Sequence, residues 1–191
     1  MLEIEVKARV GDPAAARAMI LAAGAVETRP RHREINTLYD FRDRRLAGSS
    51  RAIRLRVVGK KALLTYKGPP QKSRRFKVRE EIESEVKKAG AAAKILAELG
   101  LVSVFRYEKR RTLFKKGALT VCLDELSIGN FIEVEGERPK IVRFMKALGI
   151  DRKEWLRSSY IGLIASAGGE AGPPHSDSFS SPESSTGRSS S

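Results

Sequence analysis

The chain has 191 residues, of which 41% are hydrophobic, and a formal net charge of +14. That length and apolar content suit one domain with a real core. A single cysteine excludes a disulfide framework within the monomer, two histidines that do not cluster with it argue against zinc, and no apolar run is long enough to cross a bilayer as a helix.

The positive excess predicts an anionic partner: nucleic acid, a membrane surface or a phosphate-rich small molecule. It resides in the folded body, because residues 167–191 carry Glu170, Asp177 and Glu183 against Arg188. With +14 overall and −2 in the tail, the body holds +16. Cys122 lies in the strand-like run Leu119–Leu123 and reads as a lone buried thiol, which fits a reducing cytoplasm. The N-terminus is a charged strand with no signal-peptide pattern.

In chain order, the first strand spans residues 2–10. It places Glu3, Glu5, Lys7 and Arg9 on one face and Ile4, Val6 and Ala8 on the other, because side chains two apart in a strand share a face. Asp12-Pro13 supplies an N-cap and a first-turn proline for an Ala-rich helix that runs to Ala23 and stops at Gly24. An extended segment follows through His32–Asp40, and the polar connection Arg42–Ser50 is expected to be mobile. Strands are predicted at Arg51–Val58, Ala62–Lys67 and Phe76–Val86, with turns at Gly59-Lys60 and Gly68-Pro69-Pro70. A second helix near Lys88–Leu99 ends at Gly100. Strands at Val102–Lys115, Ala118–Asp124 and Phe131–Glu137 are separated by turns at Lys116-Gly117 and Gly129-Asn130. Helical periodicity returns at Pro139–Leu148 and at Lys153–Ala165. One domain therefore covers residues 1–166, and the Ser-, Gly- and Pro-rich segment 167–191 is expected to be a disordered tail.

About eight strands joined mainly as antiparallel hairpins predict an α+β fold, an eight-stranded antiparallel barrel with helices packed outside. Barrel strands alternate interior and exterior residues. If the apolar faces packed inward, the charges would form a solvated outer surface. If the apolar faces pack outward against the helices, the charges line a tunnel.

One face of each strand collects Glu3, Glu5, Lys7 and Arg9; Arg54 and Arg56; Thr65 and Lys67; Lys77, Arg79, Glu81, Glu83 and Glu85; Lys109 and Arg111; Asp124; and Glu133 and Glu135. Arginine and lysine on several strands can grip a chain of phosphates, arginine through a planar fork and lysine as a point charge. Carboxylates alone would repel phosphate. Beside cations they make sense if Mg²⁺ or Mn²⁺ bridges them to phosphate oxygens. A solvated sheet with cross-strand ion pairs is the competing reading of any one strand. It gives no reason for acid pairs at both chain ends and basic pairs between them.

These residues resemble the CYTH superfamily, the triphosphate tunnel metalloenzymes. Glu3-x-Glu5-x-Lys7 resembles the family's N-terminal signature. The order that follows strengthens the match: Arg54-Leu55-Arg56, Leu64-Thr65-Tyr66-Lys67-Gly68-Pro69, Arg79-x-Glu81-x-Glu83, Lys109-x-Arg111, Leu123-Asp124, Gly129-x-Phe131-x-Glu133-x-Glu135 and Ser159-Tyr160. The resemblance implies an eight-stranded tunnel in which Lys7, Arg54, Arg56, Lys67, Arg79, Lys109 and Arg111 bind triphosphate. It also implies that Glu3, Glu5, Asp124, Glu133 and Glu135 hold Mg²⁺ or Mn²⁺, and that Lys7, Glu5 and Arg111 act in catalysis. Two departures stand out. Bacterial cyclases of this type often carry Gln-x-Asp-x-Tyr-Phe where this chain has Glu34-Ile35-Asn36-Thr37-Leu38-Tyr39, and Ile161-Gly162 follows Ser159-Tyr160 where Glu-Leu is common. Both bear on nucleotide recognition more than on metal or phosphate binding.

The spacing looks most like the class IV adenylyl cyclase branch, converting ATP to cyclic AMP and pyrophosphate. The alternative is a triphosphatase acting on tripolyphosphate or on a nucleoside or thiamine triphosphate. Thiamine stands lowest, because the single tryptophan, Trp155, falls in a predicted C-terminal helix. A non-catalytic polyphosphate- or RNA-binding module is the third reading. Aromatics are 6% of the chain and the basic strands carry aliphatic neighbours, so a base-stacking RNA surface is not expected. The expected partner is thus a small triphosphate, with neither membrane nor nucleic acid; a homodimer is compatible with the sequence, but no apolar edge locates its interface.

Overall fold

The computed structural model describes residues 2–73 and 75–168. From residue 169 onward the predicted tail lies outside the described residues. Among the described residues, nine strands form one antiparallel sheet: β1 (Leu2–Val10), β2 (Val26–Phe41), β3 (Ala52–Val58), β4 (Lys61–Pro70), β5 (Lys77–Val86), β6 (Leu101–Lys116), β7 (Leu119–Leu126), β8 (Gly129–Glu135) and β9 (Trp155–Leu156). The order is β5-β4-β3-β2-β6-β7-β8-β1, and β5 pairs back onto β1 from Leu2–Glu80 to Glu5–Lys77. Eight strands therefore close into a barrel. The two residues of β9 extend the same edge of β1, pairing Lys7 with Leu156 and Ala8 with Trp155.

Among the described residues, five helices pack outside: α1 (Pro13–Ala22), α2 (Arg45–Gly48), α3 (Ala89–Glu98), α4 (Arg138–Ala147) and α5 (Tyr160–Ser166). The start and stop signals of α1 work as read. The Asp12 carboxylate accepts the Ala15 N–H at 2.8 Å, and Gly24 leaves the helix at a φ of +77°, where a side chain would strain the backbone.

The apolar faces point outward, which decides between the two readings the alternation left open. Val6, Ala8, Val121, Leu123, Ile132 and Val134 form one core with Ile20 of α1 and Ile141, Phe144 and Met145 of α4. Leu55 and Ala62 pack against Ala92 of α3. The exception is on the inner face, where Leu38 lines the cavity and Ile164 of α5 packs on it and on Phe105. Fully burying such aliphatic side chains stabilises by about 1.5–3 kcal/mol each. The charged faces are thereby committed to the interior.

Two local expectations are corrected. The connection Arg42–Ser50 is not a plain mobile loop: it contains α2, tied down by Asp40. That carboxylate accepts backbone N–H groups from Phe41 at 2.7 Å and from Leu46 and Ala47 at 3.0 Å. The single helix expected over Lys153–Ala165 is broken into a 3₁₀ turn (Arg152–Glu154), β9 and α5. Pairing with the edge of β1 beyond β5 overrides the local helical pattern, and Ser159 then restarts the helix by accepting the Gly162 N–H at 3.3 Å. No described helix is long and apolar enough to cross a membrane.

Candidate active site

The inward faces meet around Asp124 of β7, which is fully buried. Arg111 grips both of its oxygens, Nε and Nη2 each donating at 2.6 Å. Lys109 Nζ donates to the same carboxylate at 3.0 Å and the Tyr160 hydroxyl at 2.7 Å. Arg111 also reaches Glu133 at 3.0 Å, and Glu133 is paired with Lys7. The Lys7 ammonium lies 4.2 Å from the centre of the Tyr160 ring and 3.9 Å from Glu5. Burial alone would raise the acids of this clasp, but Arg111, Lys109 and Lys7 outweigh it and hold Asp124 and Glu133 well below the usual carboxylate range. Burial works against the Lys7 charge as well. Glu133 and Glu5 overcome it and raise Lys7 above its ordinary value, so it remains an ammonium.

Two further carboxylates, Glu3 and Glu135, are in the opposite state, and Glu5 lies beside them. Glu3 and Glu5 of β1 and Glu135 of β8 converge so that one oxygen of each lies within 4.8 Å of the others. Burial, then the neighbouring Glu133, pushes Glu135 up to about 8. Burial and a hydrogen bond with Glu81 push Glu3 up to about 7. Glu3 Oε2 is buried without a hydrogen-bond partner. Three crowded carboxylate oxygens, of which only Glu5 is hydrogen-bonded to a cation, Lys77, fit a hard divalent cation such as Mg²⁺ or Mn²⁺. Cys122 lies within the same reach of Glu133 and Glu135. Burial, reinforced by the carboxylates, pushes its thiol far up, so it is a neutral neighbour.

The five acids expected to hold metal therefore divide. Glu3, Glu5 and Glu135 come together, whereas Asp124 and Glu133 have their oxygens engaged by the clasp. Glu5 also accepts from Lys77 at 2.6 Å.

All seven expected phosphate-binding residues, Lys7, Arg54, Arg56, Lys67, Arg79, Lys109 and Arg111, line one cavity. Arg54 Nε is buried without a partner and is free to donate into it. Lys67 is paired with Glu81, and burial together with Arg54 lowers it to about 8. Arg79 differs: it donates to the backbone carbonyls of Gly68 at 2.9 Å and Ser50 at 2.7 Å, bracing the end of β4 against the β2–β3 connection. Glu83 and Glu85 lie on the exposed part of β5, and Glu83 accepts from Thr65 at 2.6 Å.

The geometry adds residues that the sequence reading left out of the site. Lys77, Tyr107, Ser159, Tyr160 and Ile161 line the same cavity, and Glu34 and Asn36 are buried behind Arg56. Lys77 alternates with Arg79 and was legible in the pattern. Tyr160 was visible only as part of the Ser-Tyr resemblance, because nothing local says that a helix after residue 159 folds back over the barrel. The interior cations Lys7, Arg54, Arg56, Lys67, Lys77, Arg79, Lys109 and Arg111 are nearly matched by Glu3, Glu5, Glu34, Glu81, Asp124, Glu133 and Glu135. With Glu135 and Glu3 pushed up to about 8 and about 7, the interior keeps a small positive excess, while most of the chain's +14 lies elsewhere.

Fold and site together define a closed β-tunnel whose cations and carboxylates suit a metal-bound polyanion. The chain belongs to the CYTH family: residues 1–153 match the family model described as the CYTH domain. It is 27% identical over 174 residues to a protein from Methanocaldococcus jannaschii named a putative adenylate cyclase, covering 85% of this chain and 98% of that one. A Vibrio parahaemolyticus structure bearing the same description superimposes with a TM-score of 0.78 at 20% identity, over 86% of this chain and 98% of that one. A Hippeastrum protein, HpAC1, described as a putative adenylyl cyclase that reveals a dominant triphosphatase activity, superimposes with a TM-score of 0.65 at 22% identity, over 91% of this chain and 99% of that one.

Proposed function

We propose that this protein is a divalent-metal-dependent enzyme acting on a triphosphate, and that its main reaction is hydrolysis of the terminal phosphate. The observation that carries this reading is the convergence of Glu3, Glu5 and Glu135 beside a cavity lined by Lys7, Arg54, Arg56, Lys67, Lys109 and Arg111. A cation held by the three glutamates would supply charge neutralisation and polarisation of a phosphate oxygen. Arg54, Arg56, Lys67, Lys109 and Arg111 bind the remaining oxygens, and Asp124 keeps Lys109 and Arg111 aimed inward. Glu5, between Lys7 and Lys77, orients both ammonium groups. Lys7 stays protonated and therefore donates to a phosphate or leaving oxygen rather than taking a proton. Water attacks the terminal phosphorus, and the bond to the bridging oxygen breaks.

Cyclisation of ATP is the second reading, favoured by the spacing and by the names of the relatives. Hydrolysis stands ahead of it because, among the described residues, no Asn or Gln side chain lines the cavity to read a base, and because the Tyr160 hydroxyl is spent on Asp124. The buried Cys122 thiol supports the cytoplasmic placement expected from cysteine usage. Phosphorus NMR with Mg²⁺ or Mn²⁺, run separately on ATP and on tripolyphosphate, tests the choice. Orthophosphate supports hydrolysis, cyclic AMP with pyrophosphate supports the cyclase, and no turnover of either removes both.

A further inference from the structure

Glu34 is a buried carboxylate that the chemistry above does not use, and it sits on β2 with Asn36 where the resemblance to bacterial cyclases departs. It is 3% exposed. Its Oε2 lies 3.5 Å from both Arg56 Nε and Lys109 Nζ and makes no hydrogen bond. His32 Nε2 lies 3.4 Å from Oε1. Asn36 Oδ1 takes the Arg56 Nε–H at 3.1 Å. Other interior acids, such as Asp124 and Glu133, are tied to cations by hydrogen bonds at 3.0 Å or less. Glu34 is held by charge alone, at distances too long to occupy the donors. Arg56 and Lys109 line the cavity and Glu34 does not. It therefore faces from behind the same two cations that a triphosphate would meet from the front. A buried carboxylate is costly unless its surroundings compensate, and here the compensation comes from the phosphate grip itself.

We propose that Glu34 is an internal counter-anion that sets the affinity of the tunnel for triphosphate. It holds Arg56 and Lys109 by charge without taking a hydrogen bond from either, so the donors that Asn36 and Asp124 do not use stay available, and it weakens their pull on a bare triphosphate, so that tight binding requires a substrate carrying its divalent cation. The inference rests on the reading of this tunnel as a triphosphate site. Burial would raise Glu34, but Lys109, Arg111 and Arg56 draw it down to about 2, so it stays charged while substrate binds.

Calorimetric titration of the full chain with tripolyphosphate, first in EDTA and then in Mg²⁺, tests it. Glu34→Gln keeps the shape and removes the charge. In EDTA it is expected to bind about tenfold more tightly than wild type, the scale of one partly screened charge–charge interaction. Asn36→Asp adds a charge beside it and is expected to weaken binding by a similar factor. Both differences are expected to shrink in Mg²⁺. Equal or weaker binding by Glu34→Gln, with wild type binding normally, overturns this inference and leaves the triphosphate reading standing. If wild type binds no tripolyphosphate in either condition, both fall. Should Glu34→Gln fail to fold, Asn36→Asp decides alone, and unchanged or tighter binding by it overturns the proposal.

Discussion

Glu133 and Glu135 are two residues apart on one strand and face the same tunnel, yet they are in opposite electrostatic states. Glu133 is gripped by Lys7 and Arg111 and held far below the usual carboxylate range. Glu135 faces Glu3 and Glu5 and is pushed up to about 8. The contrast teaches that a carboxylate in this tunnel is defined by its cations. Where cations saturate it, as around Asp124, it fixes the geometry of the phosphate grip. Where they do not, it is left short of positive charge and is ready for a metal.

The strongest way to break that comparison is at Asp124. Asp124→Ala leaves Arg111 and Lys109 buried without their main partner, a loss expected to destabilise the protein by about 3–5 kcal/mol and to abolish turnover. Urea unfolding measures the first part; a loss under about 1 kcal/mol would mean that the clasp is not structural. Glu135→Gln, by contrast, is expected to abolish metal-dependent turnover without lowering Tm, because it relieves repulsion. Full activity in that variant would remove Glu135 from the metal site.

The pH dependence sharpens the same difference. Glu3 and Glu135 have folded values near 7 and 8 against an ordinary 4.5, so the folded state binds their protons more tightly than the unfolded chain does. Their stabilising contribution is complete below about 4.5 and is lost as pH rises through 7 to 8. The Tm of the metal-free protein is thus expected to fall between pH 5 and pH 8, and a fixed Mg²⁺ concentration to raise it most at pH 8; where that concentration is one hundred times the Kd, the stabilisation is about 2.7 kcal/mol. Glu34, drawn down to about 2, loses its contribution only as pH falls below about 4.5, outside this window. A flat thermal profile with and without Mg²⁺ would show that Glu3 and Glu135 are not frustrated. A smaller effect is expected at Tyr160→Phe, which keeps the ring over Lys7 and removes one hydrogen bond to Asp124, for a loss of about 1.5–3 kcal/mol. The smallest belongs to truncation after Ala167, expected to leave Tm and activity unchanged; a large change in either would show that the tail docks.

The sequence by itself determined the barrel and which charged residues of β1, β3, β6 and β8 share a face. Alternation has a period of two, so Glu3, Glu5 and Lys7 had to share a surface whichever way that surface pointed. It also set α1, through Asp12, Pro13 and Gly24, because caps act over a few residues. Only the tertiary structure decided that the charges point inward, since that depends on helices far along the chain covering the apolar faces. It alone separated Asp124 and Glu133 from Glu3, Glu5 and Glu135, because a side chain's state depends on which cations cross-strand register brings near. It broke the helix expected at Lys153–Ala165, where the edge of β1 offered Trp155 and Leu156 backbone partners that local periodicity cannot report. And it brought Tyr160 onto Asp124, 36 residues away in sequence, through a contact that exists only once the barrel has closed.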